Sequence, residues 1–140
     1  MSTLFEMANS WLGVPFRWHG RDRKGCDCIG LIIGILYENK YLSQSSFNHI
    51  NTIKYGTNLA KINQLEIMQL LTIYFTQTSR LDTSDLLLIR SKASPFHFII
   101  HEREKKAKHN KIIHITQELG HVFQTNFNDS FNVIANFQLK

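Results

Sequence analysis

The chain has only two cysteines in 140 residues, Cys26 and Cys28, one residue apart. That scarcity excludes a disulfide-built fold, because a bridge between such near neighbours is badly strained. It also excludes a cysteine-rich zinc site, since C-x-C is not the usual ligand spacing and no second pair completes it. No metal and no cofactor are expected. Uninterrupted apolar runs of about 18 residues, long enough to cross a membrane, are missing. Met1–Trp11 lacks the basic start and apolar core of a signal peptide, so synthesis in the cytoplasm is the expectation. Internal repeats and linkers are missing too, and the length suits one core but not two, giving a single expected domain over 1–140. Acidic side chains are the scarcer charge, 11 against 16 Lys and Arg, for a net +5. That balance suits an anionic partner, and nucleic acid, a membrane surface and bacterial cell wall all qualify. The charge is dispersed apart from Arg17–Lys24 and Arg103–Lys111, the second reading as a solvated hairpin loop, and nucleic acid is not the expected partner.

What is present points first to Cys28, which stands where a polar, basic loop gives way to an amphipathic stretch. Leu31, Ile32, Ile35 and Leu36 follow it at the spacing of one helix face. Asp27 is a good N-cap residue, so Cys28 is expected at the first helical position, beside orphan N–H groups and the positive end of the dipole. That setting lowers a thiol pKa and favours the nucleophilic thiolate. A free cysteine that merely fills space in the core is the competing reading.

Hydrophobic patterning arranges helices before strands. Thr3-Leu4-Phe5-Glu6 forms a capping box, followed by Leu4, Met7, Ala8, Trp11 and Leu12 at helical spacing, with Gly13 and Pro15 ending the helix. The Cys28 helix runs to about Glu38, and Gly30 and Gly34 leave one side bare for close approach of another backbone. Tyr41–Gly56 is polar and without period and reads as irregular. Asn63-Gln64-Leu65-Glu66 opens a helix to about Phe75. The continuous apolar run in Asp85–Arg90 suits a strand covered on both faces. Phe96–His101, Lys111–Thr116, Gly120–Thr125 and Asn132–Leu139 read as further strands. The expected fold class is α+β, with N-terminal helices packed on a mainly antiparallel sheet of about five or six strands.

Seven histidines compete to serve Cys28 as a base. His19, His49 and His109 fall in expected loops. His97 and His114 instead fall inside apolar strands, Phe96-His97-Phe98-Ile99-Ile100 and Ile112-Ile113-His114-Ile115. If these strands pair as a hairpin, residues whose numbers sum to about 211 oppose one another, and the odd sum puts both rings on one face. His101 shares that face but lies about 13 Å along the strand from His97. Cys28 as nucleophile, His97 as base and His114 as its orienter satisfy the logic of a catalytic triad. Either histidine alone reads as a satisfied core residue.

These residues resemble the NlpC-type papain-like cell-wall peptidases. Gly13-Val14-Pro15-Phe16-Arg17-Trp18-His19-Gly20 with Cys26-Asp27-Cys28-Ile29-Gly30-Leu31 is similar to that family's G-T-P-Y-R-x-x-G … D-C-x-G-L signature. Ser84-Asp85-Leu86-Leu87-Leu88-Ile89-Arg90 matches its G-D-L-L-x-F strand, His97 its H-x-x-I histidine and Ile113-His114 its x-I-H-A strand. The short branch carried by phages and gene transfer agents, with its own C-x-C pair and a last strand like Ile134-Ala135-Asn136-Phe137, is the most similar. Phe16 stands where the family has Tyr, Ser84 where it has Gly, and Ile99 where a small residue is usual. The loop between the two histidines is longer than usual and highly charged.

The resemblance implies a papain-like (NlpC-type) fold and a cysteine endopeptidase that hydrolyses peptidoglycan stem peptides, at the γ-D-glutamyl–diamino acid amide. It implies Cys28, His97 and His114 as the catalytic set and Phe16, Arg17, Trp18 and Asp27 as substrate-binding residues. Arg21 and Arg23 join Arg17 as guanidinium groups suited to stem carboxylates. Implied partners are the stem peptides and phage-tail or gene-transfer-agent proteins, with delivery in a phage-like particle. Two alternatives keep the fold: a phage-tail structural protein with weakened catalysis, and a thiol acyltransferase.

Overall fold

The computed structural model describes residues 2–52, 64–90, 96–103, 110–128 and 130–140. Helix α1 (Leu4–Ala8) starts at a reciprocal cap: Thr3 Oγ1 accepts from the Glu6 N–H at 3.1 Å, and Glu6 Oε1 accepts from the Thr3 N–H at 3.1 Å. It tightens into a 3₁₀ turn over Asn9–Trp11, and Gly13, at φ 91°, takes the left-handed conformation that releases the chain. The next turn of chain forms a small hairpin, β1 (Arg21–Asp22) with β2 (Gly25–Cys26). Helix α2 (Cys28–Glu38) follows, buried from Cys28 to Leu36.

The bare side of α2 is used as its sequence implies. A Cβ at position 30 would stand 1.8 Å from the Gly20 carbonyl oxygen, and one at position 34 would stand 2.6 Å from that of Arg21. The two glycines therefore let the helix lie directly on the hairpin backbone. Arg23 clasps the same assembly from outside. Its guanidinium forks onto Glu38 at 2.5 and 2.8 Å, reaches the Ser10 carbonyl at 2.7 Å and lies over the Trp11 ring.

Helix α3 (Gln44–Ile50) corrects the irregular reading of Tyr41–Gly56. Ser43 caps it, accepting from the Ser46 N–H at 3.1 Å, Ile50 is buried, and Phe47 stacks on Tyr37 with ring centroids 4.2 Å apart. A cap and two anchors thus overcome a polar composition. Helix α4 (Gln64–Tyr74) runs directly into strand β3 (Phe75–Thr78), one residue earlier than the expected end, while the proposed cap at Asn63 lies outside the described residues.

The remaining strands are β4 (Leu86–Arg90), β5 (His97–His101), β6 (Lys111–Ile115), β7 (Val122–Asn126) and β8 (Asn132–Leu139). They form a six-stranded antiparallel sheet in the order β3-β8-β4-β5-β6-β7. The fold class is therefore α+β with N-terminal helices on an antiparallel sheet, an open papain-like architecture. Side chains alternate between its faces. Leu86, Leu88, Phe98, Ile100, Ile113 and Ile115 join α1 and α2 in the main core. Leu87, Ile89, Ile99 and Ile112 form a second cluster on the other face, with Phe127, Phe131 and Val133 partly covering it. Ile99 fills this second face where a small residue would leave it open.

One buried carboxylate ties the sheet together. Asp85 is fully buried, and Arg103 Nε and Nη2 donate to its two oxygens at 2.6 Å each. The Leu139 N–H of β8 donates to the same carboxylate at 2.7 Å. Ser84 beside it spends its hydroxyl on the Arg80 carbonyl at 2.7 Å, which closes the 3₁₀ turn Leu81–Thr83. Replacing Asp85 with Ala would leave the Leu139 N–H without its partner, while Arg103, about a third exposed, can turn to water, so the loss is expected at about 1–3 kcal/mol. Urea unfolding of Asp85→Ala is expected to show that loss; a change under about 1 kcal/mol would mean the cluster holds nothing.

Candidate active site

The loop before α2 is pinned on both sides. The Phe16 N–H donates to the Gly120 carbonyl at 2.8 Å, and the Arg17 N–H donates to that of Cys26 at 3.0 Å. Asp27 then fastens the loop to the helix. Its Oδ1 accepts from the Gly30 N–H at 2.7 Å and its Oδ2 from the His19 N–H at 2.9 Å, with His19 held at φ 66°. Asp27 is 1% exposed. Its carboxylate caps α2 and braces the loop, and its burial turns it to the scaffold. Cys28 consequently occupies the first helical position, as its sequence setting implies.

β5 and β6 pair only at Ile100–Ile113 and His101–Ile112. The expected pairing is thus shifted by two residues, and an even shift leaves every side chain on its original face. Toward His97 and His114 the ladder opens. Across that opening His97 Nε2 and His114 Nδ1 lie 3.1 Å apart, in a hydrogen bond between two buried rings. The buried Cys28 thiol, at the start of α2, interacts with the backbone N–H groups of Phe98, Ile29 and Cys28 itself. Phe98 is the residue next to His97. His97 Nε2 is occupied by His114, while Nδ1 is the ring nitrogen nearer the backbone. Among the described residues no hydrogen bond joins the Cys28 sulfur to either ring.

Burial decides the charge state of this cluster. It pushes the Cys28 thiol up to about 12, the Asp27 carboxylate adds to the rise, and the three N–H groups offset part of it. The helix start alone was expected to lower the thiol; desolvation outweighs it, because a thiolate leaving water loses more than the dipole returns. Burial likewise holds His97 down to about 3, with His114 adding, and holds His114 down to about 4. Burial therefore keeps the thiol and both imidazoles neutral near pH 7. Cys26, fully buried, is also pushed up to about 12 by burial, then by Asp27 and Asp22.

The other expected binding residues divide. Phe16 and Trp18 are half-buried and meet edge to face at 5.0 Å, forming a continuous aromatic wall. Arg17 is exposed. Arg21 is spent on Asn51 at 2.8 Å and Arg23 on Glu38, so neither is held ready for a substrate carboxylate. His101 serves the fold, with its ring nitrogens 2.8 Å from the Ser84 carbonyl and 2.9 Å from Asn110 Nδ2. Phe123 was not foreseen. It is the cross-strand partner of His114, with ring centroids 4.2 Å apart, and only the sheet register, which no local pattern specifies, brings the two together.

A solved structure shares this architecture. Over 99% of this chain and 96% of the other, it matches the crystal structure of the NlpC/p60 domain of peptidoglycan hydrolase SagA, with a TM-score of 0.51 and 17% identity. The fold is the NlpC/p60 fold. No family model and no curated protein matches the sequence. No helix among the described residues is long and apolar enough to cross a membrane. Within the NlpC/p60 fold Arg21 and Arg23, among the basic residues after Trp18, belong to the scaffold.

Proposed function

We propose that this NlpC/p60 fold is a cysteine peptidase that hydrolyses peptidoglycan stem peptides. The observation that supports it is the pair of hydrogen-bonded buried histidines on β5 and β6, with Cys28 at the start of α2 interacting with the Phe98 N–H, one residue along from His97. In this reading His97 Nδ1 takes the thiol proton as Cys28 Sγ attacks the amide carbonyl. The oxyanion is received by the Cys28 N–H at the helix start, and His97 returns the proton to the leaving amine. Water then hydrolyses the thioester, with His97 as its base. His114 holds the His97 ring in place throughout.

Phe16 and Trp18 would wall the cleft and Arg17 would meet a carboxylate of the stem, whose cleaved bond is the γ-D-glutamyl–diamino acid amide. The net +5 charge suits that anionic polymer. Phage-tail or gene-transfer-agent proteins are the proposed setting in which it meets the wall. A structural, non-catalytic protein is the competing reading, favoured by the buried neutral thiol and the missing sulfur–imidazole hydrogen bond. Mass spectrometry of peptidoglycan fragments incubated with the wild type and with Cys28→Ala separates them: stem-peptide products from the wild type alone support the peptidase, and no products from either support the structural protein.

A further inference from the structure

His114 is flanked from both sides of its strand, by His97 on β5 and by Phe123 on β7. Its Nδ1 meets His97 Nε2. Its Nε2 is buried and has no hydrogen-bond partner among the described residues. The Phe123 ring packs on the His114 ring, tilted at 46° with the centroids 4.2 Å apart, and a ring nitrogen without another partner is satisfied by an N–H aimed at that face. His121, just before β7, turns its Nδ1 to the Leu119 carbonyl instead.

Two proton arrangements satisfy the bond between the histidines. In one, His97 Nε2–H donates to a bare His114 Nδ1, the His114 proton sits on Nε2, and His97 Nδ1 is a free lone pair. In the other, His114 Nδ1–H donates, His114 Nε2 is bare and His97 carries its proton on Nδ1, where it can no longer accept one from a thiol. An aromatic ring face is negative and attracts an N–H while repelling a lone pair. We propose that Phe123 is a positioning residue that selects the first arrangement, through His114, and so keeps His97 Nδ1 free to act as a base. The inference rests on the peptidase reading for its purpose, but its test does not depend on turnover.

Long-range ¹H–¹⁵N spectra of the labelled protein at neutral pH report which nitrogen of each ring is protonated. The wild type is expected to carry the proton on Nε2 in both His97 and His114. Phe123→Leu keeps an apolar side chain without a π face, and it is expected to shift the ratio of the two forms about two- to fivefold toward His97 Nδ1–H. Phe123→Tyr restores the π face and is expected to retain the wild-type spectrum. A wild type with His97 protonated on Nδ1 overturns the proposal, and that measurement stands even if the Leu variant does not fold. An unchanged ratio in a folded Phe123→Leu also overturns it, since some other group would then be choosing the tautomer. Inactivity toward peptidoglycan with the expected spectra would defeat the peptidase reading and leave the tautomer assignment supported.

Discussion

Stability is expected to fall steeply in mild acid, by about 5 kcal/mol between pH 6.5 and 4.5, with the two buried histidines His97 and His114 as the cause. Unfolded, each takes a proton at its ordinary 6.5; folded, burial holds His97 down to about 3 and His114 to about 4. Below 6.5 the unfolded chain therefore binds protons that the native protein refuses, and native stability drops with falling pH. The loss is about 1.4 kcal/mol per histidine per pH unit until the folded pKa is reached. It is fully absent above 6.5. Domains have only about 5–15 kcal/mol in hand, so unfolding near pH 4 is the expected outcome. His97→Gln keeps a group able to bond His114 but cannot charge, and it should remove about half of the slope. Urea unfolding of both proteins at a series of pH values tests this, and parallel slopes would show that the histidines are not buried neutral.

Much of the architecture is local information. Asp27, Cys28 and the apolar residues at Leu31, Ile32, Ile35 and Leu36 specify α2 by themselves, and the apolar strands β4, β5, β6 and β8 read directly from their runs. The pairing of His97 with His114 was legible because it depends on parity, which an even register shift preserves. Strand β3 was not legible. Phe75 continues the apolar pattern of α4, and what makes Phe75–Thr78 a strand is its ladder to Asn136–Leu139, far along the chain. The hairpin of β1 and β2 is likewise set by contact, since two-residue strands have no period to read. The charge state of Cys28 escaped for the same reason. A helix start is visible in sequence, but the burial that overrides it is created by tertiary packing, with Phe98 of β5 against the thiol. Asp27 shows what local pattern leaves out: its place beside Cys28 gives the N-cap, but the brace to the His19 N–H is set by the loop coming back onto it.

Replacing Cys28 with Ala is expected to abolish peptidoglycan cleavage, a loss on the order of 10⁴ or more in rate, while leaving the fold intact. The other cysteine, Cys26, is buried within the hairpin, its N–H donating to the Pro15 carbonyl, and holds no helix-start position. Removing one small buried group should cost little stability, so unchanged melting would tie the lost turnover to chemistry. The wild-type rate itself is expected to be modest, since a thiol held near 12 must shed its proton to His97 only as substrate enters. Phe16→Tyr probes the same step from the other side. A hydroxyl restored at the aromatic wall is worth at most about 1.5–3 kcal/mol if it reaches a charged group, and it should leave the rate unchanged or raise it. Fragments released equally by the wild type and by Cys28→Ala would remove Cys28 from the chemistry. A folded wild type and Phe16→Tyr that both fail on wall fragments of several chemotypes would make this NlpC/p60 fold a structural protein.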